Sequence, residues 1–274
     1  IIALITMVAT GSVALGLDRG IKRLSYLNIG LAMFLLLFIW VVGPTLFITS
    51  GAVQNLGIYL QNLAWMSLWT EAYQGTSWQQ SWTVFYWAWT ISWAPFVGLF
   101  IARISKGRSI RQLVLGALGA PLLFTLIWFS VFGLSAIDLE LNHGVDLATQ
   151  VKADVSVALF TFLEQFPLAT LTSIVSALII VIFLTTSADS AALVMDLLSR
   201  REHHVSRTWQ RVFWMLLLGA LAATLLLGGG LSALQNVITA LGFPFCVLLV
   251  FMAIALTKEI KTEFTPQELP RRSD

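Results

Sequence analysis

Seven apolar stretches, at 1–17, 29–48, 80–102, 112–137, 170–195, 210–228 and 236–257, constrain this chain more than anything else in it. Each reaches or approaches the roughly 20 residues that a helix needs to cross a bilayer core. Within lipid, backbone groups must be satisfied internally, so runs of this length read as helices. The expected fold class is therefore an all-α polytopic membrane protein with about seven transmembrane helices plus interfacial helices. The composition agrees. Hydrophobic residues make up 58% and charged residues only 11%, where a soluble domain carries roughly 25% charged. A water-soluble domain, a disordered tail and a free nucleic-acid binder are excluded, so no nucleic-acid partner is expected. A single Cys excludes a disulfide framework.

The basic residues orient the spans. Fifteen of the 16 Lys and Arg fall in alternate segments: 18–28, 103–111, 196–211 and the tail from 258. Of the other segments, only one holds a basic residue, Lys152. Basic loops stay in the cytoplasm, which places the C-terminus there too. Two further helices are expected to lie flat at the surface. In the first, Val53, Leu56, Leu60 and Leu63 share one face, with Gln54, Asn55, Gln61 and Asn62 off it. The second covers about 155–166 and ends at Pro167. Trp40, Trp78, Trp209 and Trp214 lie near span ends, where an aromatic belt is expected.

Residue 1 is Ile, and the apolar run begins at once, without a basic flank or a cleavage site. The first residues read as the remainder of a helix, with earlier helices of the same protein expected before it.

The densest signal is the third span, Ser81 to Phe100. At about 100° per residue, Trp82, Phe85, Trp89, Trp93, Phe96 and Phe100 fall in a stripe about 80° wide, while Trp87 points elsewhere. Lipid-facing helices use Leu, Ile and Val, so six large rings in one stripe suggest a lining. Pro95 cannot donate to the Ile91 carbonyl and crowds it, so a kink near Trp93 is expected, of the kind tolerated beside a cavity. Indole faces attract cations that cannot accept a hydrogen bond, and trimethylammonium is the prime example. From periodicity alone, ordinary helix packing explains the stripe as well as a lining does.

The run Trp82–Phe100, continuing through Arg103, Lys106, Arg108 and Arg111, closely resembles the signature of the betaine/carnitine/choline transporter family. Val42–Thr45, Glu164–Pro167 and Thr186–Ser190 extend the resemblance over most of the chain. The resemblance implies part of a leucine-transporter-like fold, with two inverted five-helix repeats after two extra helices. Residues 1–48 would then be the last two helices of the first repeat, 49–79 a periplasmic loop with an interfacial helix, 80–257 the second repeat and 258–274 a cytoplasmic tail. It also implies that Trp89 and Trp93 are cage tryptophans. Trp82, Phe85 and Thr90 would complete the substrate site, and Phe96 and Phe100 would line the cytoplasmic pathway. Thr90 departs from the family, which usually has a second Trp there, so one cage wall is a small hydroxyl.

Phe183 to Ser190 packs hydroxyls and one carboxyl into an apolar helix. Such hydroxyls can ligate a small cation, or can simply bond back to carbonyls one turn earlier. The resemblance favours the ion: the Phe183 carbonyl and the Thr186 and Ser187 hydroxyls match sodium-ligand positions. Asp189 is the most deeply placed acid in the second half of the chain, and intramembrane carboxyls are functional suspects. A proton relay and a structural hydrogen-bonding role are both open for it.

Other features carry little. His203 and His204 lie in a basic loop without a third ligand nearby. Gly228–Gly230 reads as a turn between spans and lacks the Gly-Lys-Ser/Thr of a phosphate loop. Cys246 sits in an apolar span and reads as inert. The tail balances Lys258, Lys261, Arg271 and Arg272 against Glu259, Glu263, Glu268 and Asp274, which argues against osmotic sensing by a basic tail. No nucleophile–base pair appears in the spans, so an enzyme is not expected.

The expectation is a multi-pass bacterial inner-membrane secondary transporter. It would move a quaternary-ammonium compound (glycine betaine, choline or carnitine) by alternating access, with no cofactor except Na+ as a coupling ion. The alternatives are a ligand-binding membrane sensor, or an exchanger of the same substrates without ion coupling. By resemblance alone, a homotrimer formed partly through the surface helix is also expected.

Overall fold

Every described element is helical, as a chain that must satisfy its own backbone in lipid requires. The structure is a computed structural model that describes residues 2–15, 22–199 and 208–264. In chain order the helices are α1 (Ile2–Leu15), α2 (Lys22–Val42), α3 (Thr45–Leu68), α4 (Phe85–Ile104), α5 (Ile110–Val114), α6 (Ala120–Asn142), α7 (Leu147–Ala153), α8 (Ala158–Leu163), α9 (Ala169–Leu198) and α10 (Thr208–Phe264). Wide π turns at Gln80–Val84 and Leu115–Gly119 lead into α4 and α6.

Five of these stretches are long and apolar enough to span a membrane, and Ile2–Ser12 is a shorter apolar helix. The count differs from seven for two reasons. The first stretch is short, and the last two run together in α10. At 57 residues, α10 would be about 85 Å long if straight, far more than a bilayer core of about 30 Å. It is not straight. Gly230 has φ 64° and ψ −155°, a region open essentially only to glycine. The expected turn in the Gly228–Gly230 run falls there.

Pro44 corrects the second span. The sequence placed it over 29–48, through Gly43 and Pro44. The helix starts earlier, at Lys22, and ends at Val42. The residue before a proline disfavours helical geometry, and proline has no N–H to continue the ladder. The Thr45 hydroxyl then donates to the Trp40 carbonyl at 2.8 Å, capping the broken end.

The chain divides into two compact units. The first comprises Ile1–Trp69 and Ile104–Ala220. Its main core joins Leu35, Leu36 and Ile39 of α2 to Val131 and Leu134 of α6 and to Phe162, Leu163 and Phe166. The segment expected to lie flat at 155–166 is thus packed into this core through Phe162, Leu163 and Phe166. A smaller core joins Ala9, Ala192 and Met215, with Trp214 against it. Trp214 also donates from Nε1 to the Ser199 hydroxyl at 3.1 Å, tying the start of α10 to the end of α9. Helix α3 docks by its first half, where Gly51 faces Leu134, and leaves Val53, Leu56, Leu60 and Leu63 exposed.

The second unit comprises Thr70–Arg103 and Leu221–Asp274. Within it, α4 meets the later part of α10. A Cβ added at Gly242 would lie 2.7 Å from the Cβ of Ala88. The Ser92 hydroxyl donates to the Ile238 carbonyl at 3.2 Å. The rings of Phe96 and Phe245 sit 5.6 Å apart. Small residues at membrane helix contacts allow such close approach.

Candidate functional site: an aromatic ladder and a hydroxyl-rich turn

The rings of the third span form a connected series. Trp78 stacks on Trp82 with centroids 6.5 Å apart, and Trp82 on Tyr86 at 6.0 Å with planes only 7° apart. Tyr86 and Phe85 each reach Trp89, at 5.9 Å and 5.7 Å. Phe85 is half-buried, while Trp89 and Trp93 leave 46% and 57% of their surface uncovered. Farther along, Phe96 is engaged with Phe245, and Phe100 is half-buried. Trp87, off the stripe, is 64% exposed.

Tyr86 is the member that sequence periodicity missed. At 100° per residue it falls just outside the stripe, but residues four apart are neighbours on a helix surface, so Tyr86 covers Trp82. Thr90 is exposed and donates to the Tyr86 carbonyl at 2.8 Å, which holds its hydroxyl against the helix instead of reaching outward. Helix α4 runs unbroken through buried Pro95.

In α9 the hydroxyls divide. Thr185 is fully buried and bonds back to the Val181 carbonyl at 2.8 Å. Thr186 Oγ1 lies 3.0 Å from both the Ile182 and the Phe183 carbonyl oxygens. Its single hydrogen serves one of them, and the hydroxyl oxygen keeps lone pairs. Thr186 Oγ1 and the Phe183 carbonyl, two of the three sequence candidates, are therefore neighbours, and Ser187 is half-buried on the same turn. Asp189 lies one turn after Thr186 and is turned to α1. It is 1% exposed and accepts from the Ser12 hydroxyl, while its Oδ1 is buried without a hydrogen-bond partner. Asp196, one helical repeat on, is also fully buried; sequence reading did not single it out. No group of three or more His, Cys, Asp or Glu gathers among the described residues. His203 and His204 lie outside them. Cys246 is a free, exposed thiol.

A profile described as "BCCT, betaine/carnitine/choline family transporter" matches residues 1–265. The chain belongs to the betaine/carnitine/choline transporter family. It is 44% identical over 264 residues to an ectoine/glycine betaine/proline transporter of Corynebacterium glutamicum, covering 94% of this chain and 43% of that protein. It is 40% identical over 269 residues to a glycine betaine transporter of Acinetobacter baylyi, covering 98% of this chain and 41% of the relative. An ectoine/hydroxyectoine transporter of Virgibacillus pantothenticus is 42% identical over 257 residues, covering 94% and 51%. The chain thus spans about half the length of these relatives. Membership makes it a bacterial multi-pass membrane protein of a transporter family and not an enzyme. The resemblance first seen in the Trp82–Phe100 run is thereby confirmed.

Proposed function

We propose that this chain is part of a secondary active transporter of compatible solutes of the betaine type, working by alternating access in the bacterial inner membrane with its C-terminus in the cytoplasm. The observation that carries this is the connected ladder Trp82–Tyr86–Trp89, with Phe85 beside it and Trp89 and Trp93 half uncovered. Uncovered indole faces attract a desolvated trimethylammonium group by about 0.5–2 kcal/mol each. In this reading Trp82, Phe85, Trp89, Thr90 and Trp93 bind substrate, and Phe96 and Phe100 line its cytoplasmic path. The relatives named for ectoine and proline widen the candidate substrates to other zwitterions. Thr90, where the family usually has Trp, favours that wider range.

The same reading gives Phe183, Thr186 and Ser187 to a coupling sodium ion, because the Thr186 hydroxyl and the Phe183 carbonyl lie 3.0 Å apart on one turn. A homotrimer through α3 is consistent with its uncovered apolar face. The deciding test uses the full-length protein in vesicles. Trp89→Ala and Trp93→Ala should each abolish most uptake of labelled glycine betaine while expression is kept, and Trp87→Ala should leave uptake intact. Unchanged uptake by both ladder variants removes the site assignment. Label that saturates at one ligand per protein, without accumulating, identifies a sensor instead. Uptake unaltered in sodium-free buffer at fixed pH removes the ion assignment.

A further inference from the structure

Glu71 lies eight residues ahead of Gln79, in the segment that precedes the ladder helix, and its backbone is left-handed, with φ 59°. Such a conformation is unfavourable for a residue with a Cβ and persists only where its surroundings enforce it. Two bonds do so. The Glu71 carbonyl accepts from the Gln74 N–H at 3.2 Å. Its Oε2 accepts from the Gln79 N–H at 2.8 Å. Gln79 is in the first turn of the helix that runs through Gln80–Val84 into α4. N–H groups there have no acceptor within the helix, and a negative charge at that end is favoured by the helix dipole. The side chain is 8% exposed, and Oε1 is buried without a hydrogen-bond partner.

A strained backbone and a desolvated, unbonded oxygen both work against the fold, and both are kept at one residue. Their shared result is a single clasp on the helix end, one turn before the Trp82–Tyr86 stack. Strained residues and unpaired buried polar atoms cluster at functional sites. We propose that Glu71 is a positioning residue: its carboxylate fixes the N-terminal end of the ladder helix, and with it the ring register that captures substrate. The proposal rests on the reading of the ladder as the substrate site.

The test compares Glu71→Gly and Glu71→Gln in the full-length protein. Glycine adopts φ 59° freely, so Glu71→Gly relieves the strain and favours folding while removing the clasp. A purely structural role would leave that variant as active as the wild type. Hydrogen–deuterium exchange at residues 79–84 should rise about tenfold in Glu71→Gly, as expected for loss of one charge-assisted bond. The KM for glycine betaine should rise about tenfold with it, the maximal rate staying within about twofold. Glu71→Gln keeps an acceptor oxygen but loses the charge, and should fall between wild type and Glu71→Gly in both readouts. Unchanged exchange in Glu71→Gly, or faster exchange with an unchanged KM, overturns the proposal. A wild-type protein that accumulates no glycine betaine sinks the transport reading, and the exchange comparison still decides whether Glu71 holds the helix end.

Discussion

The Ser12 hydroxyl donates a hydrogen bond to Asp189 Oδ2, joining α1 to α9 where both side chains are buried. The surroundings are small and apolar, with Ala9 and Ala192 fully covered nearby. Ser12→Ala should therefore destabilise the fold by about 1–3 kcal/mol, because it leaves a buried acceptor unmet. Adding Asp189→Leu should restore part of the loss, since removing both partners of a buried polar pair costs less than removing one. Thermal unfolding in detergent compares the single and the double variant. A double variant less stable than Ser12→Ala would show that Asp189 serves a second contact.

Thr90 offers a gain-of-function test. It lies one turn after Tyr86 and beside Trp89, within the ring series. Thr90→Trp adds one indole face, worth about 0.5–2 kcal/mol to a trimethylammonium group. The affinity for glycine betaine should rise by a factor of about two to thirty. Ectoine and proline, which lack that group, should gain less. Binding by the detergent-solubilised full-length protein, measured by calorimetry, checks both.

How much of this was legible in the sequence depended on whether a feature was local. The apolar runs gave the helices because lipid leaves the backbone few choices. Phe85 and Trp89 were found by helical spacing because the helix there is regular. Tyr86 was not, because it lies just off the stripe and joins the series through its stacking on Trp82. The bond from Trp214 to Ser199, fifteen residues away, has no local signal in the sequence. Glu71 was invisible for the same reason, since its backbone strain and its long-range clasp exist only in three dimensions. The break at Pro44 was legible in principle: proline and the restricted residue before it end a helix, but the apolar run continues past it and masked the boundary.

Asp154 provides a pH test outside the spans. Its Oδ1 accepts from the Ser156 hydroxyl at 2.6 Å and from the Ser156 N–H at 2.9 Å. These bonds, the side-chain one first, hold its carboxyl below the ordinary aspartate value. A lowered native pKa means that the bonds favour the fold above the ordinary value, near pH 4, and that this contribution fades as pH falls through the native pKa. Ser156→Ala should move the Asp154 titration, followed by carboxyl carbon-13 shifts, upward toward the ordinary range. The turn Val155–Val157 should then loosen at a higher pH than in wild type.

Gly242 should tolerate no side chain. An added Cβ would lie 2.7 Å from the Ala88 Cβ and 2.9 Å from the Ala88 Cα. The first neighbour is a stub and the second is backbone, so neither can swing aside. Gly242→Ala should push α4 and α10 apart at this crossing and cost about 1–3 kcal/mol, the range for overpacking a tight contact. Combining it with Ala88→Gly removes the nearer clash and leaves the one with Cα, so recovery should be partial. The Ser92 bond to the Ile238 carbonyl, in the same helix pair, should weaken with the separation. Melting temperatures of the two variants in detergent test this. Full tolerance of Gly242→Ala would mean that the helices do not approach this closely in the membrane.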